Sequence, residues 1–332
     1  MKGLKSLLLS TANVAGVIPL CRYLNRRKIR ILAYHGVDWL HDPVVNWDDL
    51  QVEPRVFRTH LDELSCHYEV VPLHRVIDAL TGKDELPDNA VAITFDDGYR
   101  NNLTLAAPIL KEFGFPAAFF ITTGFVDGTV SPWWYQLRDA LARCEKRTVP
   151  LPDGGMAALA GVQDRVRAAM EWEKALRPRP SADRNQHLAE LLKQCGCREQ
   201  EPAHPLMNRA EVQELADMGF EIGPHTVSHI SMRHENAAVV EQEIDASLRS
   251  IRDMTGKEPA CYSYPYGLIS EGRTEILDMM KSRGIRAAVT TAEGMVRRGD
   301  DVFQLNRLNV SGHRRSAFSA LISGFTGAVR HD

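Results

Sequence analysis

Two short segments far apart in the chain carry the residues best suited to chemistry. The first, at 94–98, reads TFDDG and follows the apolar run 90–93. The second, at 225–229, reads HTVSH and follows the strand-like run 220–224. Two histidines and one carboxylate form a common open zinc shell, which leaves a coordination position for water. The other aspartate is then free to take a proton from that water, so the residue types predict a metal-dependent hydrolase.

The same two segments resemble the first two motifs of the polysaccharide deacetylases, the NodB-homology group of carbohydrate esterase family 4. A third segment, YSYPYG at 262–267, is similar to that family's Pro-Tyr-Gly loop. The resemblance covers roughly residues 29 to 310 and is interrupted by a divergent stretch near 128 to 205. All three motifs occur in the family's order, each after a strand-like run, which makes the resemblance specific.

The resemblance implies a role for each polar residue of the first two motifs. Asp97, His225 and His229 are the implied metal ligands. Zinc is the default ion for such a set, although imidazole and carboxylate also suit other divalent ions. Asp96 is the implied catalytic base. The i, i+4 spacing of the two histidines brings both rings to one side if the segment is helical.

The third motif is expected to stabilise negative charge on the oxygen of a tetrahedral intermediate, because a backbone N–H can be aimed at that oxygen. The resemblance places this N–H near Tyr264 or Tyr266. Tyr264 is accordingly predicted to act in catalysis and Tyr266 to contact the substrate. Trp134, with Trp133 beside it, is predicted to stack on a sugar ring; burial of apolar surface is the alternative role for both.

Two parts of the family pattern are missing from this chain. An arginine often found upstream in the third motif is absent, and Arg307 is predicted to replace it by holding Asp96 ionised through a charge-assisted hydrogen bond. A surface position on an edge strand is the alternative for Arg307. The family's Leu-x-His motif, which gives the general acid, also has no clean match. His35 resembles an early histidine of the poly-N-acetylglucosamine deacetylase branch and is predicted to be the acid, with His313 as runner-up and a structural role for His35 as the alternative.

Short apolar runs alternate with helical patterns along the chain. Such alternation predicts a parallel sheet with crossover helices, either open and doubly wound or closed into a barrel. The candidate site residues fall just after strands, and the active sites of barrel enzymes lie at the carboxyl ends of the strands. The family resemblance selects a distorted (β/α) barrel, usually described with seven strands. Strands are predicted at 29–34, 91–95, 117–121, 220–223, 261–264 and 286–290, and helices at 57–66, 101–113, 211–218, 237–254 and 274–282.

Residues from about 128 to 205 break this rhythm and are predicted to form a helical insertion over the rim of the site. A lid that shapes the substrate site, a surface for a partner and an element that only packs are all open roles for it. The chain is thus divided into a basic and apolar N-terminal segment, 1–28, and a catalytic domain, 29–332.

Composition describes an ordinary soluble protein: 332 residues, 44% hydrophobic and 25% charged. The formal net charge of −3 argues against a nucleic-acid partner. Six scattered cysteines mildly favour a reducing compartment. The apolar stretch from Leu7 to Leu20, flanked by Lys and Arg, is too short to span a membrane. It suits a peripheral contact with an anionic membrane or a helix packed on the barrel, and we expect a cytoplasmic, membrane-peripheral protein.

Together these features predict a metal-dependent hydrolase that removes the N-acetyl group from an amino sugar of a surface polysaccharide or of its lipid-linked precursor. The alternatives are a deacylase of another small amide or of an O-acetyl ester, and a catalytically inactive relative that binds glycans. The sequence does not indicate an oligomeric state.

Overall fold

Parallel strands form the centre of this computed structural model, which describes residues 16–39, 42–197, 205–267 and 273–325. The strands are, in chain order, β1 (Arg30–Tyr34), β2 (Gly36–Val37), β3 (Gln51–Val52), β4 (Glu69–Val70), β5 (Ala90–Phe95), β6 (Ala118–Ile121), β7 (Thr148–Pro150), β8 (Met156–Ala158), β9 (Glu221–Pro224), β10 (Cys261–Ser263), β11 (Ala287–Glu293) and β12 (Leu305–Asn309). The main sheet runs in the order β10-β11-β12-β1-β5-β6-β9, and β4 pairs with β5 beside this path. All of its pairs are parallel.

The two ends of this path, β9 and β10, lie side by side. A Cβ atom on Gly223 of β9 would stand 2.7 Å from the carbonyl oxygen of Cys261 in β10, so only glycine allows this approach. The seven strands therefore form a nearly closed barrel. This confirms the predicted distorted (β/α) barrel and excludes the open doubly wound sheet.

Helices surround the barrel and connect its strands. They are α1 (Val17–Leu24), α2 (Pro54–His67), α3 (Leu73–Leu80), α4 (Ala107–Phe113), α5 (Thr123–Val126), α6 (Trp133–Arg143), α7 (Val162–Leu176), α8 (Ser181–Gln194), α9 (Arg209–Asp217), α10 (Ala237–Thr255), α11 (Thr274–Ser282) and α12 (Arg315–Ser323). The predicted helix at 101–113 differs from the structure, because a π-helical turn at Asn102–Ala106 precedes α4. Pro108 lacks the N–H that a regular α-helical ladder would use at this point.

Side-chain parity within the strands decides what faces the barrel interior. Small and apolar residues from β1, β5, β6, β10, β11 and β12 share one buried cluster with the apolar face of α3. Alternate residues of β5, Ala90 and Ala92, belong to this inner cluster, whereas Val91, Ile93 and Phe95 pack outward against the helices. Because strand side chains alternate, Thr94 and Asp96 continue the inward set at the carboxyl end of the strand. The barrel therefore points its first polar side chains inward at one end.

Residues 133–194 build a separate buried cluster beside this end of the barrel. Helices α6, α7 and α8, with the antiparallel pair β7–β8, contribute its apolar side chains. Trp133 and Trp134 are 3% and 6% exposed within it. The insertion is therefore helical, as predicted, with a two-stranded hairpin that the sequence pattern did not suggest; its residues 198–204 lie outside the described part of the chain.

Only the end of the predicted N-terminal segment falls within the described residues, since 1–15 lie outside them. Helix α1 buries Ile18 against Ala320 of α12. Its other side exposes Leu20, Tyr23 and Leu24. Across the ranges that the structure describes, no helix is both long and apolar enough to cross a membrane.

Candidate active site

Asp97, His225 and His229 converge at the carboxyl end of the barrel, as the sequence predicted. Their ligand atoms all lie within 4.8 Å of one another, and all three side chains are buried. Asp97 Oδ1 is 3.6 Å from His225 Nε2 and 3.3 Å from His229 Nε2. This oxygen is buried and has no hydrogen-bond partner among the described residues. A buried oxygen facing two imidazole nitrogens fits a divalent cation, because such an atom is costly without a partner.

The segment that carries the two histidines is a loop. The helical premise for the i, i+4 pair is therefore wrong, although the two rings do meet, with centroids 4.9 Å apart. Thr226 and His229 have φ values of 65° and 52°, and Asp97 and Tyr266 have 77° and 60°. Among the residues that the structure describes, four of the six non-glycine residues with positive φ thus belong to this site, and such backbone strain clusters at functional sites.

Each histidine is oriented through its other ring nitrogen. His225 Nδ1 is 2.8 Å from the carbonyl oxygen of Ser263, so Nδ1 donates there and Nε2 faces Asp97. His229 Nδ1 is 2.9 Å from the Tyr266 hydroxyl, which also accepts a 2.6 Å hydrogen bond from Trp133 Nε1. Such outer contacts set the tautomer and ring direction of a metal-binding histidine.

The charge state of these groups suits a cation. Burial lowers the pKa of His225 to about 4; the nearby Asp96 raises it and His229 lowers it further. Burial alone would raise the pKa of Asp97, but the adjacent His229, whose Nε2 lies 3.3 Å from Asp97 Oδ1, brings that pKa below its usual value. A neutral imidazole and an ionised carboxylate are the forms that bind a metal.

Asp96 is held by Arg307, as predicted. Arg307 donates two parallel hydrogen bonds, to Asp96 Oδ1 at 2.9 Å and to Oδ2 at 2.6 Å. Burial alone would raise the pKa of Asp96, but the charge of Arg307 outweighs it, with further lowering by His225, and leaves that pKa well below its ordinary value. Asp96 is therefore ionised at neutral pH. Because β12 lies between β11 and β1, the alternative of an edge-strand surface arginine is wrong.

Two hydroxyl groups that the sequence reasoning missed support this pair. Thr94 Oγ1 accepts a 3.0 Å hydrogen bond from Arg307, and Ser263 Oγ accepts one of 3.2 Å while lying 3.3 Å from Asp96 Oδ2. Both residues are fully buried in strands. Both are polar residues at inward-facing strand positions, and this pattern in the sequence could have identified them as site residues.

The two candidate general acids occupy different environments. His35, directly after β1, lines the same cavity as Asp96 and Asp97. His313 is turned toward its own loop: its Nδ1 lies 3.1 Å from the Ser311 amide nitrogen, and its carbonyl accepts a hydrogen bond from His60. It is not one of the residues that line the described cavity. The geometry therefore favours His35 over the runner-up.

The third motif separates the two tyrosines. The backbone N–H of Tyr264 donates to the carbonyl of Val289 at 3.1 Å, and its side chain is buried in the barrel wall with Tyr262 and Ala288. Tyr264 therefore has no N–H to offer an oxyanion, and the catalytic role predicted for it is not supported. In the described part of the chain, the Tyr266 N–H has no acceptor, and Tyr266 lines the cavity. Tyr266 is the tyrosine that can donate.

A cavity of about 780 Å³ opens above these residues. Trp134 lines it, with its ring centroid 4.7 Å from that of His229, so both predicted substrate contacts, Trp134 and Tyr266, face this space. The volume is typical of pockets that enclose a small organic ligand. Its walls come from the barrel loops and from α6 and α7 of the insertion.

Comparison with known proteins identifies the family. The model of the family described as "Polysaccharide deacetylase" matches residues 83–151 and 183–288, more than half of the chain. The unmatched interval between them falls within the insertion. The chain therefore belongs to the polysaccharide deacetylase family, and the predictions of this family and of a hydrolase are confirmed.

Individual relatives are distant. YxkH of Bacillus subtilis, assigned by name to the polysaccharide deacetylases, is 22% identical over 297 residues, 89% of this chain and 76% of that protein. The poly-beta-1,6-N-acetyl-D-glucosamine N-deacetylase of Escherichia coli K12 is 38% identical over 60 residues, 18% of this chain and 9% of that protein.

Solved structures share the fold. The Streptococcus pyogenes deacetylase PplD in complex with acetate has a TM-score of 0.61 at 17% identity, with 89% of this chain and 98% of that chain covered. IcaB from Ammonifex degensii has a TM-score of 0.59 at 17% identity, covering 90% and 97%. At these identities the likeness establishes the architecture alone.

Proposed function

We propose that this protein is a metal-dependent N-deacetylase acting on an N-acetylated amino sugar of a surface polysaccharide or of its lipid-linked precursor. One observation carries the proposal: Asp97, His225 and His229 present three ligand atoms within 4.8 Å of one another beside the ionised Asp96–Arg307 pair. The Escherichia coli relative, named for N-deacetylation of poly-beta-1,6-N-acetyl-D-glucosamine, supports the choice of substrate class.

The ligand set would hold a divalent ion, and two imidazoles with one carboxylate make zinc the expected choice. When bound, such an ion acts as a Lewis acid on the acetamide carbonyl and lowers the pKa of a bound water. The site fits such an ion because Asp97 Oδ1 is buried without a hydrogen-bond partner among the described residues, and the Nε2 atoms of both histidines face this oxygen.

The remaining steps belong to side chains of this protein. Asp96 takes a proton from the attacking water, and Arg307 keeps the carboxylate ionised and aimed by its two hydrogen bonds. The Tyr266 N–H donates to the oxygen on which negative charge develops. His35 gives a proton to the departing amine, since an amine is a poor leaving group without one.

The test is release of acetate from N-acetylglucosamine oligomers of increasing length, before and after removal of metal by a chelator and after return of Zn²⁺. We expect activity to vanish with the metal and to return with it, and Asp96→Asn to lose at least 100-fold in kcat. The thermal unfolding of Asp96→Asn is measured in parallel, because the neutral amide removes the ionic partner of Arg307 and leaves only one oxygen to accept its hydrogen bonds.

Four outcomes would contradict the proposal. Full activity in folded Asp96→Asn would exclude Asp96 as the base, and acetate release that survives complete metal removal would exclude the ion. Hydrolysis of O-acetyl esters without amide cleavage would make the protein an O-deacetylase. Sugar binding without any acetate release would make it an inactive glycan-binding relative.

We further propose a peripheral contact with the cytoplasmic face of a membrane, which would suit a lipid-linked substrate. Helix α1 exposes Leu20, Tyr23 and Leu24, and the exposed Arg27 and Lys28 follow it. Apolar side chains beside cations are typical of helices that lie on anionic bilayers. Co-sedimentation with vesicles containing phosphatidylserine should fall in Leu20→Ser/Leu24→Ser; equal binding of this variant and the wild type would refute the contact.

A further inference from the structure

Cationic side chains share the cavity with the candidate metal ligands. Lys174 and Arg177 reach it from the C-terminal end of α7, and Arg233 reaches it from the loop that follows His229. These residues belong to the insertion and to the stretch after the second motif. None of them takes part in the chemistry described above.

Most charges around this cavity are compensated. Arg138 pairs with Asp48 at 2.7 Å and with Glu173 at 2.6 Å, and Arg177 pairs with the second oxygen of Glu173 at 2.6 Å. Asp96 is likewise neutralised by Arg307. Two arginines and two carboxylates therefore cancel on the insertion side.

Among the cationic side chains that line the cavity, Lys174 and Arg233 are the exceptions; the ionised Asp97 is the other unpaired charge, and it faces the two candidate metal-binding histidines. Within the described ranges, neither side chain has a carboxylate within 4.0 Å, and both are exposed at the cavity. A pocket lined by an excess of one charge concentrates ligands of the opposite charge. An N-acetylated sugar alone is neutral and would leave both cations unmatched.

We infer that the substrate carries a phosphate group next to its N-acetylated sugar, and that Lys174 and Arg233 bind this phosphate. This inference rests on the proposed function and names its substrate class more closely. A phosphate monoester carries a charge of about −1.5 to −2 at neutral pH, which matches two unpaired cations. Lysine and arginine are both common phosphate-binding side chains. At about 780 Å³, the cavity has room for a sugar ring together with such a group.

The test compares kcat/KM for acetate release from N-acetylglucosamine 1-phosphate and from neutral methyl N-acetylglucosaminide. We expect the wild type to prefer the phosphorylated sugar by about tenfold or more, since two charge-assisted contacts at a partly exposed site give that order of magnitude. In Lys174→Gln/Arg233→Gln the preference should fall about tenfold. The matched control is Arg249→Gln/Lys257→Gln, which removes one exposed arginine and one exposed lysine that do not line the cavity, and it should keep the preference.

A second measurement separates this inference from the proposed function. Binding of N-acetylglucosamine 1-phosphate to metal-depleted protein is followed by calorimetry, so that phosphate cannot bind the ion. Weaker binding in Lys174→Gln/Arg233→Gln than in the control variant supports the phosphate site even if no sugar is deacetylated. Equal binding by the two double variants overturns the phosphate site even if the enzyme is an active deacetylase.

Two further substrates identify the source of the phosphate. A prenyl diphosphate N-acetylglucosamine in detergent represents a lipid-linked precursor, and an N-acetylglucosamine trimer with a terminal phosphate represents a phosphorylated glycan. Either one, cleaved faster than its unphosphorylated counterpart, supports the inference. A preference for a uronic acid-linked disaccharide over both would overturn it, because the cations would then serve a carboxylate.

Discussion

Replacing Tyr266 with phenylalanine removes one hydroxyl that lies between the insertion and a candidate metal ligand. That hydroxyl is 2.9 Å from His229 Nδ1 and accepts a 2.6 Å hydrogen bond from Trp133 Nε1. When His229 Nε2 faces a metal, Nδ1 carries the proton and needs an acceptor. Burial raises the pKa of Tyr266 to about 12, so its hydroxyl stays neutral and can accept that proton's hydrogen bond.

The size of the effect follows from what else holds the His229 ring. Loss of such an outer contact typically costs 10- to 100-fold in metal affinity, or about 1.4 to 2.7 kcal/mol. The ring of Phe125 lies nearly parallel to that of His229, the Trp134 ring is 4.7 Å away, and Arg184 donates to the His229 carbonyl at 3.3 Å. Because packing keeps the ring in place, we expect the lower end, about a tenfold loss of Zn²⁺ affinity.

The assay is competitive titration of Zn²⁺ against a chromophoric chelator, with acetate release as a second readout at saturating metal. Tyr264→Phe is the matched control: it removes a buried hydroxyl from the same loop that, among the described residues, has no hydrogen-bond partner. Its Zn²⁺ affinity should equal that of the wild type. Unchanged affinity in Tyr266→Phe, or an equal loss in both variants, would refute the view that the insertion orients His229 through Tyr266.

Three other outcomes are expected. Arg307→Met should lower the free energy of unfolding by about 3 to 5 kcal/mol in urea titrations, because Asp96 stays buried without its partner. This loss should shrink at low pH, where Asp96 is protonated. A loss that does not depend on pH would contradict the explanation. His35→Ala should reduce amide hydrolysis by about 10² to 10⁴ but spare 4-nitrophenyl acetate, whose leaving group needs no proton; equal loss on both substrates would exclude His35 as the acid. Burial lowers the pKa of His60 to about 4, below its value in the unfolded chain. The contribution of His60 to the free energy of unfolding should therefore be complete above pH 6.5 and should fall by about 2 kcal/mol from pH 7.5 to 5. His60→Gln should remove this part of the pH dependence.

Local pattern was enough to predict the barrel strands near the site. All six predicted strands overlap observed ones. The ranges 29–34, 91–95, 117–121, 220–223, 261–264 and 286–290 overlap β1, β5, β6, β9, β10 and β11, in that order. Apolar runs of this length reveal buried strands because both faces of a parallel sheet are covered. The π-helical turn before α4 and the hairpin β7–β8 escaped prediction, since neither departs from an ordinary amphipathic or polar pattern.

Assignments that depended on side-chain direction fared less evenly. Asp96 and Arg307 were paired correctly, because the family's upstream arginine is absent and Arg307 was predicted to replace it. Tyr264 was misassigned, because motif position does not reveal that its N–H belongs to the β10–β11 ladder. The uncompensated charge of Lys174 and Arg233 was also invisible, since it depends on which carboxylates fold toward Arg138 and Arg177.

By itself, the sequence determined the kind of chemistry. Two histidines and two aspartates that follow apolar strand-like runs provide metal ligands and a base if those strands end at the same edge of the sheet. The tertiary structure alone decided how those groups are aimed. Near closure of the barrel at Gly223 brings Ser263 to His225, and the insertion brings Trp133 to Tyr266. Residue types limit which bonds a side chain can make, but distances between segments that are remote in the sequence are set only when the whole core packs.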